Sequence, residues 1–170
     1  KSPKKPLATL NLMGSGSLLP EVREAAELLS RDWNIGVDVW SVTSFSELER
    51  NARECERWNR LHPLEPARES VLDRAFDTDA PVVAVSDYVR ALPQLIAPYL
   101  DAPYSVLGTD GFGRSDTREQ LRDFFEISRQ HIVIAALSAL VKQHKIPPEL
   151  QHEAIHRYQL RPDQSPSWLI

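Results

Sequence analysis

The sequence predicts an α/β fold, three-layered α/β/α, with a doubly wound sheet covered by helices on both faces. Three observations carry that expectation. Four short apolar runs alternate with stretches whose apolar residues recur at helical spacing. The run Val82 to Ser86 is apolar at its first four positions, as in strands buried on both faces of a parallel sheet. Helices between consecutive runs make each connection a crossover, and such crossovers are right-handed. No internal repeat and no second domain are visible, so one domain spans 7–160, between a linker at 1–6 and a loose tail at 161–170.

Leu7 to Met13 reads as the first strand. Ser17 can cap the helix after it, whose Leu18, Val22, Ala25, Ala26, Leu29 and Trp33 share a face until Asn34-Ile35-Gly36 stops it. Val37 to Val42 is the second strand. Ser44 with Glu47 forms a capping box before a helix lined by Phe45, Leu48, Ala52, Cys55 and Trp58. Leu64 to Pro81 is rich in proline and charge and predicts little regular structure beyond a short helix near Val71 to Phe76. Val82 to Ser86 is the third strand, and Tyr88 to Leu100 predicts a helix strained by Pro93 and Pro98. Tyr104 to Leu107 is the fourth strand. Three glycines in six residues, Gly108, Gly111 and Gly113, then make a shaped loop, and Asp116 with Glu119 supplies a capping-box-like start for the next helix. Helices follow near Thr117 to Phe125, Ser128 to Gln143 and Pro148 to Tyr158.

The chain has 170 residues, 42% of them hydrophobic, enough for one substantial core. Lys plus Arg number 20 against 24 Asp plus Glu, a formal charge of −4, so no general attraction to nucleic acid or an anionic membrane is expected. The single cysteine, Cys55, excludes an internal disulfide and suits a reducing cytoplasm. Ile132 to Val141 is the most apolar run, far short of the roughly 18 to 20 residues that cross a bilayer.

Several patterns imitate chemistry. His152-Glu153-Ala154-Ile155-His156 fits the H-E-x-x-H zinc motif, but no Glu, His or Cys follows to supply a third ligand at metalloprotease spacing, and two surface histidines are expected. Cys55 and His62 are about 10 Å apart along a continuous helix, too far for a thiol and its base. His131 and His144 have no ligand-spaced partner. Gly14-Ser15-Gly16-Ser17 lies between strand and helix, where free amides can receive phosphate, yet Leu19 stands where a Rossmann fingerprint needs its third glycine and no P-loop lysine follows. Close packing of the turn is the expectation, with Ser17, Ser44, Asp87 and Asp110 all near the carboxyl edge of the sheet.

The glycine loop Gly108 to Glu119, taken with Met13-Gly14-Ser15-Gly16-Ser17, Ser41-Val42-Thr43-Ser44-Phe45, Glu56-Arg57-Trp58-Asn59 and Leu61-His62-Pro63-Leu64-Glu65, resembles the C-terminal domain of the homodimeric, thiamine diphosphate-dependent pyruvate dehydrogenases of the transketolase-like superfamily. The likeness runs from about Leu10 to the last helix. It implies a mostly parallel sheet with an antiparallel edge strand upstream of Lys1. It also implies a parent enzyme, an oxidoreductase of a cytoplasmic multienzyme complex, that uses thiamine diphosphate and Mg²⁺ and passes an acetyl group to dihydrolipoyl acetyltransferase. Thr109-Asp110-Gly111 departs from the family's cofactor motif G-D-G, and no Asn follows Asp110, so no catalytic, cofactor-binding or metal-binding residue carries over.

The resemblance therefore implies a non-catalytic domain that braces the subunit and the homodimer. Asp110, Phe112, Arg114 and Asp116, with Trp58, Asn59, His62 and Glu65, are the candidate contact residues, the alternative being solvated loop positions. Gly14, Gly16, Gly108, Gly111 and Gly113 are the structural loop residues. Two other readings stay open: a transketolase-like enzyme acting on sugar phosphates, and a free-standing flavodoxin-like module that binds an anion at Gly14 to Ser17.

Overall fold

A computed structural model describes residues 3–76 and 79–169. Lys1 and Ser2 of the expected linker, two residues of the proline-rich segment and Ile170 of the tail lie outside the described residues. Four strands, β1 (Ala8–Gly14), β2 (Ile35–Ser41), β3 (Val82–Val85) and β4 (Tyr104–Leu107), form one sheet in the order β2-β1-β3-β4. All pairings are parallel, with Leu12 opposite Val39 on one side and Val83 on the other.

Alternation along the strands builds two cores. Leu10, Leu12, Val83 and Val85 face α1 (Leu19–Asp32), α6 (Arg129–Lys142) and α7 (Pro148–Arg157), where they meet Val22, Ala25, Leu29, Ile132, Leu137 and Leu140. Met13, Val82, Ala84 and Val106 face the other way, onto Phe45 and Ala52 of α2 (Phe45–Leu61), Leu72 of α3 (Val71–Ala75), and Ile96 just beyond α4 (Ala91–Gln94). Each fully buried Leu, Ile or Val stabilises the fold by about 1.5–3 kcal/mol, and the period of two in β1 and β3 distributes them to both layers.

The α/β expectation holds, and several boundaries shift for physical reasons. Ser17 does not cap α1. A 3-10 turn, Gly16–Leu18, leads into the helix, and Pro20 takes an early position where its missing N–H costs nothing. Ser44 does cap α2, accepting from the Glu47 N–H at 3.2 Å, but the Glu47 carboxylate turns to Arg50. A complete capping box sits instead at Ser70 and Asp73, opening α3. The expected helix over Tyr88 to Leu100 is broken into α4 and a 3-10 turn, Ala97–Tyr99, the two prolines removing donors inside any longer helix. Thr117, not Asp116, caps α5 (Arg118–Phe124), through the Gln120 N–H; Asp116 accepts from the Thr117 N–H at 2.7 Å. Cys55, on the expected apolar face of α2, is only half-buried; the buried residues of that helix are Phe45 and Ala52, nearer its start.

Arg118 to Lys142 as one run is long and apolar enough to cross a membrane. The fold divides it into α5 and α6 at Glu126, whose φ is +55°, and buries Ile132, Val133, Ala136, Leu137 and Leu140 in the core. The tail is also less loose than expected: it ends in a 3-10 turn, Ser167–Leu169, and Ser167 is buried.

Candidate interdomain interface

The loops after β1, β3 and β4 meet at the carboxyl edge of the sheet. The strand order reverses between β1 and β3, the place where open α/β sheets receive ligands. Here the chain fills that place itself. Gly16 has φ +58°, and a Cβ on it would lie 2.9 Å from both oxygens of the Asp87 carboxylate. The Ser17 N–H donates to Asp87 Oδ2 at 3.2 Å. An internal carboxylate thus faces the turn that an external phosphate would have used, and the two would repel. Gly14 is needed for packing, since a Cβ would come within 3.1 Å of Leu19 and Val22.

The glycine loop is strapped to the same edge. Gly108 is buried, and a Cβ there would meet the Tyr88 carbonyl at 2.7 Å. The Thr109 N–H donates to that carbonyl at 3.0 Å, its hydroxyl to the Asp87 carbonyl at 3.1 Å, and the Arg90 N–H donates to Asp110 Oδ1 at 2.9 Å. From the other side Ser167 Oγ donates to the Asp110 carbonyl at 2.8 Å. Gly111, with φ +106°, lies so close that a Cβ would sit 2.6 Å from the Ser167 carbonyl. Gly113 differs from its expected role: its φ is not in the left-handed region and nothing lies within 4 Å of a Cβ there.

Of the first group of candidates, Asp110 is an internal strut and Asp116 is taken by the Thr117 amide. Arg114 places its guanidinium 4.3 Å from the Phe124 ring centre. Phe112 stands out, 84% exposed, and the strapped segments bring further apolar surface to this edge in Tyr88, Val89, Trp168 and Leu169. Sequence reasoning passed over these four; the apolar end Trp168-Leu169-Ile170 of an otherwise polar tail was the available signal.

The second group is knotted to itself. His62 stacks on Trp58 with ring centres 3.6 Å apart, and the Arg68 guanidinium lies 3.4 Å from the centre of the same indole. Asn59 clamps the Arg68 backbone, accepting from its N–H at 2.7 Å and donating to its carbonyl at 3.0 Å. Glu65 stays exposed. Trp58, Asn59 and His62 therefore fold the proline-rich segment back along α2. That helix has 17 residues, about 25 Å at 1.5 Å per residue, and starts at the carboxyl edge. The two candidate groups consequently lie at opposite ends of the sheet and do not form one surface.

The ion cluster beneath α5 and α6 escaped the sequence reading. Glu21 is buried at 3% exposure and accepts from the Arg122 guanidinium at 2.7 Å and from Arg129 through its backbone N–H, Nε and Nη2, each at 3.0 Å. Burial pushes its carboxyl up, but the Arg129 hydrogen bonds and the two guanidinium charges prevail and hold it below the usual range. His131, by contrast, is lowered by burial, with Asp123 and Glu126 opposing only in part. Ser128 Oγ and Asp123 both approach the same His131 Nδ1, at 2.8 Å and 3.8 Å, so they do not line up as a proton relay, and Ser128 makes no capping bond to the α6 backbone.

Nothing here fits a Mg²⁺-diphosphate. Asp110, the one residue of the G-D-G-like triplet that could ligate, is engaged by Arg90, and among the described residues no three Asp, Glu, His or Cys side chains converge.

Residues 2–128 match the family model described as the transketolase-like TK C-terminal domain. The chain is 47% identical over 155 residues to the pyruvate dehydrogenase E1 component of Escherichia coli K12, covering 91% of this chain and 17% of that protein. For the protein of the same name from Pseudomonas aeruginosa PAO1 the identity is 46% over 156 residues, 91% of this chain and 18% of the relative. For that of Haemophilus influenzae Rd it is 40% over 161 residues, 94% and 18%. The chain thus spans less than a fifth of the length of these relatives and corresponds to their C-terminal region. Parallel sheet, glycine loop and matched residues agree that this chain belongs to the transketolase-like TK C-terminal domain family.

Proposed function

We propose that this chain is the non-catalytic C-terminal domain of a pyruvate dehydrogenase E1 component. On this reading the parent oxidatively decarboxylates pyruvate in the cytoplasm with thiamine diphosphate and Mg²⁺ held by its other domains. It acetylates the lipoyl group of dihydrolipoyl acetyltransferase within a multienzyme complex. This chain contributes packing surface and no reacting group.

One observation carries the non-catalytic reading. The sheet's ligand edge is closed by the chain's own groups, with Asp87 in the Gly16–Ser17 turn and Asp110 committed to Arg90. That closure also weighs against the free-standing anion-binding module, and the 40–47% identities favour a pyruvate parent over a sugar-phosphate one. The exposed apolar group of Phe112, Tyr88, Val89, Trp168 and Leu169, with Arg114 beside it, supports a contact surface there toward the rest of the parent or its second subunit. The outer edge of β2, where Val39 and Trp40 are exposed, suits the added antiparallel strand expected upstream of Lys1.

Calorimetric titration of the chain with thiamine diphosphate and Mg²⁺ tests the first part, and no heat of binding is expected in the micromolar range. Stoichiometric micromolar binding would overturn it. Pyruvate turnover by the full-length parent tests the second part, and an enzyme that turns over sugar phosphates but not pyruvate would refute it.

A further inference from the structure

The histidines of the H-E-x-x-H motif lie on the exposed side of α7. α7 carries His152 and His156 one turn apart with both imidazoles exposed. Their Nε2 atoms converge to 3.1 Å, the rings meeting edge to face at 80°. Two imidazole nitrogens cannot present lone pairs to each other at that distance. Either one ring donates its N–H to the other ring's nitrogen, or one metal ion takes both lone pairs.

The spacing suits an ion. With metal–nitrogen bonds of about 2.0–2.1 Å, two nitrogens are about 2.9 Å apart at a right angle and about 3.4 Å apart at a tetrahedral one. The helix is also held in place. Ala154 is buried, the Trp33 indole N–H donates to the Tyr158 hydroxyl at 3.0 Å, and Arg157 reaches Asp32 at 3.4 Å, so the helix is anchored beside α1 through its other side while the histidines face outward. Among the described residues no third protein ligand joins the pair, which excludes a closed tetrahedral zinc centre. Solvent would complete the shell.

We propose that His152 and His156 form an exchangeable two-imidazole surface site for a divalent transition metal of the copper or nickel kind, the two rings hydrogen-bonding to each other when no metal is bound. Those ions lead the affinity order for nitrogen ligands and bind usefully through two imidazoles, where Mg²⁺ or Ca²⁺ would not. The site is independent of the pyruvate dehydrogenase reading.

The test is calorimetric titration of the chain with Ni²⁺ alone, and electron paramagnetic resonance with one equivalent of Cu²⁺, on tag-free protein. One ion per chain at micromolar dissociation constant is expected, with nitrogen couplings from two imidazoles. Either His152→Ala or His156→Ala should weaken binding about tenfold or more, while His144→Ala leaves it unchanged. Circular dichroism confirms that each variant is folded. Binding that persists unaltered in the His156→Ala chain, or no binding below millimolar Ni²⁺, overturns the proposal.

Discussion

Glu21 and Arg129 are joined by three hydrogen bonds, one of them from the Arg129 backbone, so a carboxylate on α1 fixes both the side chain and the first turn of α6. Arg122 adds a fourth donor from α5. The chain leaves the glycine loop through α5 and enters the core it shares with α1 and α7 through α6, and this one carboxylate holds both helices to the layer beneath.

Removing it should therefore be costly. Glu21→Ala removes the partner that Arg122 and Arg129 share, but both guanidiniums are partly exposed and keep Ser17 and Glu24, so the chain should be destabilised by about 1.5–3 kcal/mol, the range for a hydrogen bond to a charged group. Urea denaturation checks this, and a loss below about 1 kcal/mol would show that the cluster is dispensable.

Acid should act through the same group and through His131. The Glu21 pKa is lowered on folding, so its contribution is present above the ordinary carboxyl range and is lost as pH falls through the lower folded value. The His131 pKa is also lowered, which for a base means that the unfolded chain takes up the proton first. Stability should begin to fall as pH drops below about 6.5, the ordinary imidazole value. His131→Gln should flatten the stability profile in that upper window and leave the lower one intact, as read by thermal melts between neutral pH and pH 4. An unchanged profile would refute the assignment.

Two glycines of one loop should respond in opposite ways. Gly111→Val combines a positive φ with a backbone clash and should destabilise by about 1–3 kcal/mol, whereas Gly113→Val should change the melting point little. Equal losses at both positions would mean that the loop is strained throughout.

Phe112→Ala separates folding from assembly. The ring is exposed, so the isolated chain should melt within a few degrees of the unsubstituted protein. In the full-length parent the same change should weaken dimerisation or lower pyruvate turnover. Sedimentation and turnover measured side by side decide it; an unfolded isolated chain would make Phe112 part of the fold instead.

The strands and long helices were legible because their apolar residues are periodic, and β4 was read to the residue. What the sequence concealed was tertiary. Glu21 looks like any first-turn acid, and only the arrival of Arg122 and Arg129 from a hundred residues away makes it a hub. Trp58, Asn59 and His62 look like surface anchors because their chemistry suits one; Trp58 and Asn59 instead hold Arg68, placed there by the turn at Pro63, and His62 stacks on Trp58. The glycines were equally suggestive, yet their density could not tell Gly111, pressed on Ser167, from Gly113, which touches nothing. The Asp116 cap missed by one residue, since Thr117 and Asp116 both can accept an amide and only the backbone decides which does.

Asp87 in the Gly16–Ser17 turn has a consequence for how the domain behaves in a cell. A fold that keeps this edge open draws part of its stability from whatever anion occupies it, and that part rises and falls with the free concentration of the anion. A carboxylate tethered to the chain is always present at a fixed effective concentration. The melting temperature should accordingly be indifferent to phosphorylated metabolites, and the domain would hold its shape equally through feast and starvation.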